Sequence, residues 1–430
     1  MTATLFERAQ TGRMRLHVMP TKRFKTFAIS LYAGVPLAES SVTTTALTPF
    51  VLRRGTQATP ETLAFRERLD NLYGAGFGFD IYKRGDAQIV QFRMDVINDQ
   101  FVSSGTPLLA AALKLLGEIV TDPALEDGVF RGKYVAAEKM TLQKRLEAII
   151  NDKIRYAAER CLAEMCRNEP YRLHALGKLD DLPGISSESL YDAYRGWLGQ
   201  AELDLYVAGD TTLAEVEQLA AEAFRLEPSA GAGAGYARSE VGQAAEEPRT
   251  VIETLDVSQG KLNMGLRTHI GYADEAYPAL LMYNGILGGY PHSKLFLNVR
   301  EKASLAYYAA SRLDGHKGIC TIQSGIEIAN FEQAKTIILA QLQSMKEGQI
   351  SELELSQTRA MISNQLREMQ DSAFEMISYD FNSVLSGKSR TAAELISAIE
   401  AADVEQIVQV ADKVELDTIY FLRGKEAQLA

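Results

Sequence analysis

The stretch Asn298-Val-Arg-Glu-Lys-Ala-Ser-Leu-Ala-Tyr307 decides how this chain folds and what it does. It closely follows two other short segments, Ile286-Leu-Gly-Gly-Tyr290 and Ser293-Lys-Leu-Phe296. Arg300 offers a planar fork of N–H donors that stays charged at any working pH, and Tyr307 adds a phenolic donor on a stiff ring. Such donors suit a carbonyl or carboxylate group. In isolation, the same pair would more simply be an exposed helix end and a core aromatic residue.

The bulk composition limits the possible classes of protein. A chain of 430 residues is too long for one core, so two or more domains are expected. The net charge of −11 argues against nucleic acid or anionic lipid as the main partner. No apolar run is long enough for a membrane-spanning helix, and the start lacks the pattern of a secretory signal. Three cysteines are too few for a disulfide framework, which favours a cytoplasmic location.

A Gly- and Ala-rich segment divides the chain. Residues 228–248 have no apolar period, which predicts a flexible linker between an N-terminal domain, residues 1–227, and a C-terminal domain, residues 249–430. A phosphate-binding loop is the weaker interpretation, because no Lys-Ser or Lys-Thr follows the glycines.

Both halves follow a similar plan. Alternating apolar residues predict half-buried strands near residues 27–31 and 262–266, and residues 77–83 and 88–94 have the pattern of a hairpin. Each half ends in a helix and a strand. The remaining predictions are a strand at 204–209 followed by a helix at 213–224, a long helix with its apolar face at 142–154, a helix at 392–413 and a strand at 418–423. The pattern indicates two duplicated α+β domains of mixed strand direction.

The segments around Arg300 and Tyr307 resemble the second-half signature of the pitrilysin/insulinase family of zinc metallopeptidases. The resemblance extends from about Lys25 to Gly424 and is strengthened by Gly288-Gly289 upstream. It implies two homologous α/β-sandwich halves of the LuxS/metallohydrolase-like type, each a mixed or antiparallel sheet with helices packed on one face. It also implies that Arg300 and Tyr307 bind the peptide substrate.

The first-half signature of that family is a zinc-binding helix of the form H-x-x-E-H. Where it belongs, this chain has Ala46-Leu-Thr-Pro-Phe50. By the resemblance, Ala46 and Phe50 replace the histidine ligands, Pro49 replaces the general base, and Arg145 occupies the third ligand position. None of these side chains can supply a lone pair to zinc. We therefore expect no metal or other cofactor in this chain, with zinc held by a partner.

Pro49 also affects the expected local structure. A proline inside a helix removes a hydrogen bond and costs about 3 kcal/mol. The sequence therefore predicts a helix that begins at Thr48 as N-cap, with Pro49 in its first position, and ends near Gly55. The β-branched residues 43–45 favour an extended approach. This gives a shortened helix, in which restored histidines alone would not restore activity.

The segment from Phe77 to Lys83 is similar to the edge strand onto which substrates of the family add as an extra β-strand. Phe77, Gly78, Phe79 and Asp80 are its candidate peptide-binding residues. An ordinary hairpin strand is the alternative, in which both phenylalanines pack inward.

The resemblance implies the non-catalytic, substrate-binding subunit of a two-chain zinc peptidase, silent alone and active with a paralogue that bears H-x-x-E-H. The expected partners are a peptide and that paralogue, or a second copy of this chain in its absence. The alternative function is a catalytically silent peptide-binding or scaffold protein of the same fold.

Overall fold

A computed structural model describes residues 5–103, 105–226, 235–241 and 247–425. The chain divides into two compact units. The first is formed by Met1–Leu146, Leu173–Ala237 and Ser372–Phe381, and the second by Glu147–Arg172, Arg238–Asp371 and Asn382–Ala430. Sequence alone places a single division at the linker, whereas in the structure two segments group with the unit formed mainly by the other half of the sequence.

Much of the predicted linker, residues 228–234 and 242–246, lies outside the described residues. Tyr236, in the described part, is buried and donates a hydrogen bond to Asp204 at 2.5 Å. This part of the segment is therefore anchored to the first unit.

The first unit is built on a six-stranded mixed sheet of order β1-β2-β8-β3-β5-β4, with a separate two-stranded sheet formed by β6 and β7. Strands β2 and β8 are parallel, and all other neighbours are antiparallel. The strands of the first half are β1 (Glu7–Thr11), β2 (Met14–Pro20), β3 (Thr26–Pro36), β4 (Gly76–Arg84), β5 (Ala87–Ile97), β6 (Leu125–Glu126), β7 (Val129–Phe130) and β8 (Glu202–Gly209). The helices of this half are α1 (Val42–Leu52), α2 (Thr62–Asp70), α3 (Leu108–Thr121), α4 (Gly132–Asn151), α5 (Lys153–Met165), α6 (Ser187–Gln200) and α7 (Leu213–Ala223).

The second unit is built on a five-stranded sheet of order β11-β12-β10-β13-β9, in which only β13 and β9 are parallel. The strands of the second half are β9 (Arg249–Thr254), β10 (Gly260–Arg267), β11 (Ala306–Asp314), β12 (Ile319–Ile326) and β13 (Glu415–Arg423). Its α-helices are α8 (Tyr277–Asn284), α9 (Phe331–Lys346), α10 (Glu352–Glu368), α11 (Ala373–Ser386), α12 (Ala392–Ala401) and α13 (Val404–Lys413).

The two sheets share one topology. The order β9-β13-β10-β12-β11 repeats β2-β8-β3-β5-β4, with the parallel pair at the same end. The duplicated α+β fold expected from the sequence is therefore confirmed. In this correspondence, β4 and β11 are equivalent edge strands, each reached from the central strand through a helical connection.

The central strand β3 was expected to be half-buried, but nine of its residues, Phe27 to Val35, are buried. One face meets helices α1, α3 and α6 through β3 and its neighbour β5. The other face is covered by residues 372–381, where the ring of Phe381 stacks on Tyr32. The strand is therefore buried on both faces, because residues 372–381 cover the face that the sequence pattern predicts to be exposed to solvent.

The sheet of the second unit is also covered on both faces. Tyr420 and Leu422 of β13 pack against Ala157 and Cys161 of α5, while the intervening Phe421 stacks on Phe331 of α9. Because side chains alternate across a strand, α5 and α9 lie on opposite faces.

Two predicted helices are each broken into two. Asp152 ends α4 and caps α5, accepting hydrogen bonds from the amides of Ile154 and Arg155, so the predicted apolar face ends there and Ile154 is exposed. Asp403 similarly begins α13 with a capping box. A short acceptor side chain at an N-cap favours a new helix start over continuation of the previous one.

Candidate functional site

Helix α1 carries the positions expected to form the degenerate zinc helix. It spans Val42–Leu52, so the prediction of a helix beginning at Thr48 with Pro49 in its first position is wrong. Residues 43–45 are helical rather than extended, and Pro49 lies inside the helix. Helix α1 therefore extends over eleven residues, with no histidine or glutamate among them.

Burial outweighs the local preferences of this segment. Ten of the eleven residues of α1 are buried. The hydroxyl of Thr48 donates to the backbone carbonyl of Thr44 at 2.8 Å, and the hydroxyl of Thr44 donates to the backbone carbonyl of Ser41 at 3.0 Å. The proline costs about 3 kcal/mol, but each fully buried large apolar side chain contributes roughly 1.5–3 kcal/mol. Several lie in α1, namely Leu47, Phe50, Val51 and Leu52.

Gly55 has a different role from the helix terminator expected. Helix α1 ends at Leu52, and Gly55 is not left-handed. A Cβ atom at Gly55 would lie 2.6 Å from the carbonyl oxygen of Thr59, so the glycine permits the chain to fold back closely on itself.

Ala46 and Phe50 are one helical turn apart and fully buried. The Phe50 ring meets the Phe79 ring edge to face, with centroids 4.9 Å apart. The guanidinium carbon of Arg145 lies 4.8 Å from the centroid of Phe50. The structure thus brings together two of the predicted zinc-site positions and one residue of the predicted edge strand.

A second arginine, Arg53, lies over the same rings, with its guanidinium carbon 5.6 Å from the centroids of both Phe50 and Phe79. We call Phe50, Phe79, Arg53 and Arg145 the aromatic–guanidinium cluster. Its side chains offer no lone pair, and its charges repel a divalent cation. With Ala46 alongside, the residues at these positions do not fit a zinc ion.

Glu138 lies beside this cluster and is fully buried. One carboxylate oxygen pairs with Arg54, and the other lies 3.4 Å from Arg53. A buried carboxylate needs such pairing, because desolvating an unpaired charge is costly. Glu138 is thereby held mainly by Arg54.

Across the described parts of the chain, no group of three or more His, Cys, Asp and Glu side chains could hold a metal ion. Four of the five histidines have a separate polar side-chain partner: His17 with Asp204, His269 with Glu415, His292 with Thr358 and His316 with Asn382. His174 accepts a hydrogen bond from the amide of Leu176.

Strand β4 is an edge strand, and no other strand among the described residues pairs with its outer side. Phe77 and Phe79 pack inward near Phe92, with centroids 6.4 and 6.5 Å away. Gly78 and Asp80 point to the opposite, exposed face, where Asp80 pairs with Arg93 at 2.5 Å.

The backbone of β4 has groups free to pair. Arg84 and Ala87 close a two-residue turn and so form a hydrogen-bonded pair. Because such pairs alternate with non-bonded pairs along the ladder, the N–H and C=O groups that face away from β5 include those of residues 77, 79 and 81.

Arg300 lies in a π-helix, Phe296–Lys302, in the second unit. Its side chain is 44% exposed, and its nearest carboxylate, that of Glu301, is 3.9 Å away. The guanidinium carbon lies 4.6 Å from the centroid of Phe296, which orients the group without using its N–H donors. A π-helical turn is uncommon and occurs often at functional sites.

Tyr307 lies at an irregularity near the start of β11, where the pairing register with β12 shifts. Its ring is 56% exposed, and its hydroxyl donates to Glu327 at 2.6 Å. This hydrogen bond and the negative charge of Glu327 raise the pKa of Tyr307, so the phenol keeps its proton. Arg300 and Tyr307 are both exposed donors, each with its own neighbour.

Gly288 explains part of the motif upstream of Arg300. It belongs to a second π-helix, Gly285–Gly289, that packs against β11. A Cβ atom there would lie 2.5 Å from the backbone nitrogen of Ser311. Glycine at this position lets the connection approach the strand that carries Tyr307.

A cleft of about 440 Å³ also lies on the second unit, between α5 and strands β11 and β12. Its charged lining includes Arg155, Arg312 and Asp314, but neither Arg300 nor Tyr307. The predicted site residues therefore lie on an open surface rather than in this cleft.

Sequence reasoning missed Arg53, Phe296 and Glu327. The hairpin register could have revealed Glu327, since β11 and β12 pair from Asp314 and Ile319 outward and place the end of β12 beside Tyr307. Helical spacing was the signal for Phe296, which lies four residues before Arg300. The same signal applies to Arg53, which lies three residues after Phe50.

Comparison with known proteins identifies the family. Residues 184–362 match the family model described as the peptidase M16 inactive domain. The chain is 41% identical over 419 residues to a protein of Bacillus subtilis (strain 168) named "Probable inactive metalloprotease YmfF", an alignment that covers 97% of this chain and 98% of that one. The chain belongs to the peptidase M16 family. The resemblance to the pitrilysin/insulinase peptidases is thus confirmed.

Solved structures confirm the fold of this M16 family member. A conserved protein from Enterococcus faecalis V583 matches with a TM-score of 0.93 and 31% identity, covering 99% of this chain and all of that chain. A peptidase M16 inactive domain from Pseudomonas fluorescens matches with a TM-score of 0.81 and 18% identity over 99% of this chain. None of the described helices is long and apolar enough to cross a membrane.

Proposed function

We propose that this M16 homologue is the non-catalytic, substrate-binding subunit of a two-chain zinc peptidase. The observation that carries the proposal is the exposed Arg300 guanidinium, whose ring contact with Phe296 leaves its N–H donors unused. A charged fork held in this manner suits a peptide carbonyl, and a role in stability alone would not require its exposure.

In this proposal the first unit also offers a peptide-binding edge of its own, at which a peptide adds to β4 as an extra strand. The unpaired backbone groups of that strand support the idea, because main-chain pairing accepts many sequences. Phe77 and Phe79 pack inward, so they support the strand rather than line a pocket for peptide side chains. Gly78 leaves the opposite face open, since no atom lies within 4 Å of a Cβ built there.

Arg300 and Tyr307 would bind and orient a peptide for a partner that bears H-x-x-E-H. Tyr307 keeps its proton while it donates a hydrogen bond to Glu327. When a peptide binds, the same hydroxyl can donate to a peptide carbonyl in place of Glu327. Zinc would belong to the partner, since Ala46, Pro49 and Phe50 offer no ligand atom. We place this assembly in the cytoplasm, a location with which the three free cysteines agree.

The test is a peptide-cleavage assay with a paralogue that bears H-x-x-E-H. Co-purified subunits should cleave unstructured peptides, and Arg300→Ala or Tyr307→Phe should lower turnover roughly 10- to 100-fold, the loss of one charge-assisted or neutral hydrogen bond in the reaction. The zinc content of the pair should stay the same. Lys302→Ala and Tyr308→Phe are matched controls on the same segments and should leave turnover unchanged. Equal cleavage after loss of both donors would refute the proposal.

The second candidate is a silent peptide-binding or scaffold protein, alone or as a homodimer. The relative named as a probable inactive metalloprotease favours it. It predicts a stable complex without hydrolysis, whichever M16 paralogue is supplied.

A further inference from the structure

We infer that the aromatic–guanidinium cluster binds a carboxylate of a peptide that has added to β4. This inference rests on the proposed peptide-binding role and names the class of peptide: one with an acidic side chain or a free C-terminus beside Phe79. Arg145, the residue at the predicted third zinc-ligand position, would then help to bind an anion.

The charges of the cluster are not balanced by the protein. The guanidinium of Arg145 lies over the ring of Phe50, and no carboxylate among the described residues is within ion-pair distance of it. Glu138 pairs mainly with Arg54 and lies 3.4 Å from Arg53. The three guanidinium groups of Arg53, Arg54 and Arg145 are therefore accompanied by one carboxylate, which pairs with Arg53 and Arg54 only, in a chain whose net charge is −11. A local positive excess in an acidic protein favours an anionic ligand.

The rings of Phe50 and Phe79 position the two arginines of the cluster for such a ligand. A guanidinium that lies over a ring keeps its N–H donors available for a bidentate contact with a carboxylate. The Arg53 side chain is 38% exposed, and Arg145 is also exposed, so a ligand can reach both. Because contact with the rings already restricts these two arginine side chains, less side-chain entropy is lost on binding.

The cluster lies beside the free backbone of β4. Phe79 belongs to both, since its ring contacts Phe50 while its outward N–H and C=O groups are free to pair. An added strand would lie roughly 4.8 Å from β4. Side chains one or two positions from the residue opposite Phe79 would then be within reach of Arg53 and Arg145.

The test measures peptide binding to the full chain by fluorescence anisotropy. The probes are four labelled decapeptides of one Thr/Val/Ser-rich sequence, with a central Glu or Gln and with a free or amidated C-terminus. We expect the wild-type chain to bind at least one carboxylate-bearing probe about tenfold or more tightly than the neutral probe, the usual gain from a charge-assisted pair. The central and terminal substitutions show which carboxylate is bound.

Arg145→Gln should remove that preference, and Arg145→Lys should keep only part of it, because lysine lacks the planar fork. Lys144→Gln is the matched control, since it removes the same charge from the neighbouring exposed position of α4. Equal loss in both glutamine variants, or equal affinity of wild type for all four probes, would overturn the inference. If Arg300-dependent cleavage with the partner persists in that case, the proposed function survives. If no probe binds, alone or with the partner, both fail.

Discussion

The rings of Tyr32 and Phe381 lie face to face with centroids 3.8 Å apart, although one belongs to the first central strand and the other to a helix from the second half of the sequence. Phe381 also meets Tyr236 and Tyr206 edge to face, at 5.4 and 6.3 Å. This one side chain therefore ties the exchanged segment 372–381 to the first unit.

Phe381→Ala should destabilise the first unit by about 3–5 kcal/mol, the usual effect of truncating a buried phenylalanine. Trp197, the only tryptophan, is buried in the first unit, so its fluorescence during urea unfolding reports this change directly. Leu353→Ala, at a 64% exposed position, should change stability by less than about 0.5 kcal/mol. An unchanged midpoint in the Phe381 variant would show that the segment does not support the sheet.

Glu169→Gln should destabilise the second unit by about 3–5 kcal/mol, because it removes the buried carboxylate charge that pairs with both Lys317 and Arg267. Glu169 lies 2.5 Å from Lys317 and 2.6 Å from Arg267, and all three side chains are buried. Urea unfolding followed by circular dichroism measures the loss. Glu332→Gln, which breaks a pair at a 73% exposed carboxylate, should cost less than about 1 kcal/mol. Similar losses in both variants would contradict the argument.

Asp204 should make the first unit sensitive to acid. Burial would raise its pKa, but hydrogen bonds and charges from Arg15 and His17 outweigh burial and lower the pKa to about 2, from an ordinary 3.8. A lowered folded-state pKa stabilises the protein at pH values above the unfolded-state pKa. This contribution, about 2 kcal/mol, is therefore present above pH 4 and is lost as the pH falls towards 2.

The urea midpoint of unfolding, followed by Trp197 fluorescence, should change less between pH 4 and pH 2 in Asp204→Asn than in the wild type. The exposed Asp412→Asn serves as control and should retain the wild-type profile. Identical slopes in the wild type and the Asp204 variant would mean that another carboxylate governs acid unfolding.

In a variant with a restored H-x-x-E-H motif, zinc binding should depend on the residue at position 145 as well as on the residues of α1. Since this helix has its full length, Ala46→His, Pro49→Glu and Phe50→His would place both histidines on one face. We expect this triple variant to bind no zinc while the guanidinium of Arg145 remains, and to bind one zinc per chain after Arg145→Glu is added. Metal content after dialysis decides the matter. Stoichiometric zinc in the triple variant would show that Arg145 does not oppose the ion.

The central strands and hairpins were predictable because their signals are local. The alternation near Phe27 and the turn between the two strands that follow reflect a period of two, and β3, β4 and β5 form as expected. The breaks at Asp152 and Asp403 also had a local signal, the capping side chain, which the longer apolar pattern obscured.

Other features depend on residues far apart in the sequence. The start of α1 could not be predicted from threonine and proline preferences, because burial decides it. The full burial of β3 depends on Phe381, and the anchoring of Tyr236 depends on Asp204. At the candidate site, Arg300 and Tyr307 were found through resemblance, and their binding role stays a prediction. The contact of Arg145 with Phe50 was visible only in three dimensions.

The exchange of residues 147–172 and 372–381 bears on how this polypeptide can be dissected. A fragment ending at residue 227 would lack Phe381, so the tyrosines beneath it would face water. A fragment beginning at residue 249 would lack α5, leaving Tyr420 and Leu422 bare. Two fragments expressed separately on either side of the glycine-rich segment would therefore each expose apolar surface and aggregate, rather than fold as independent domains.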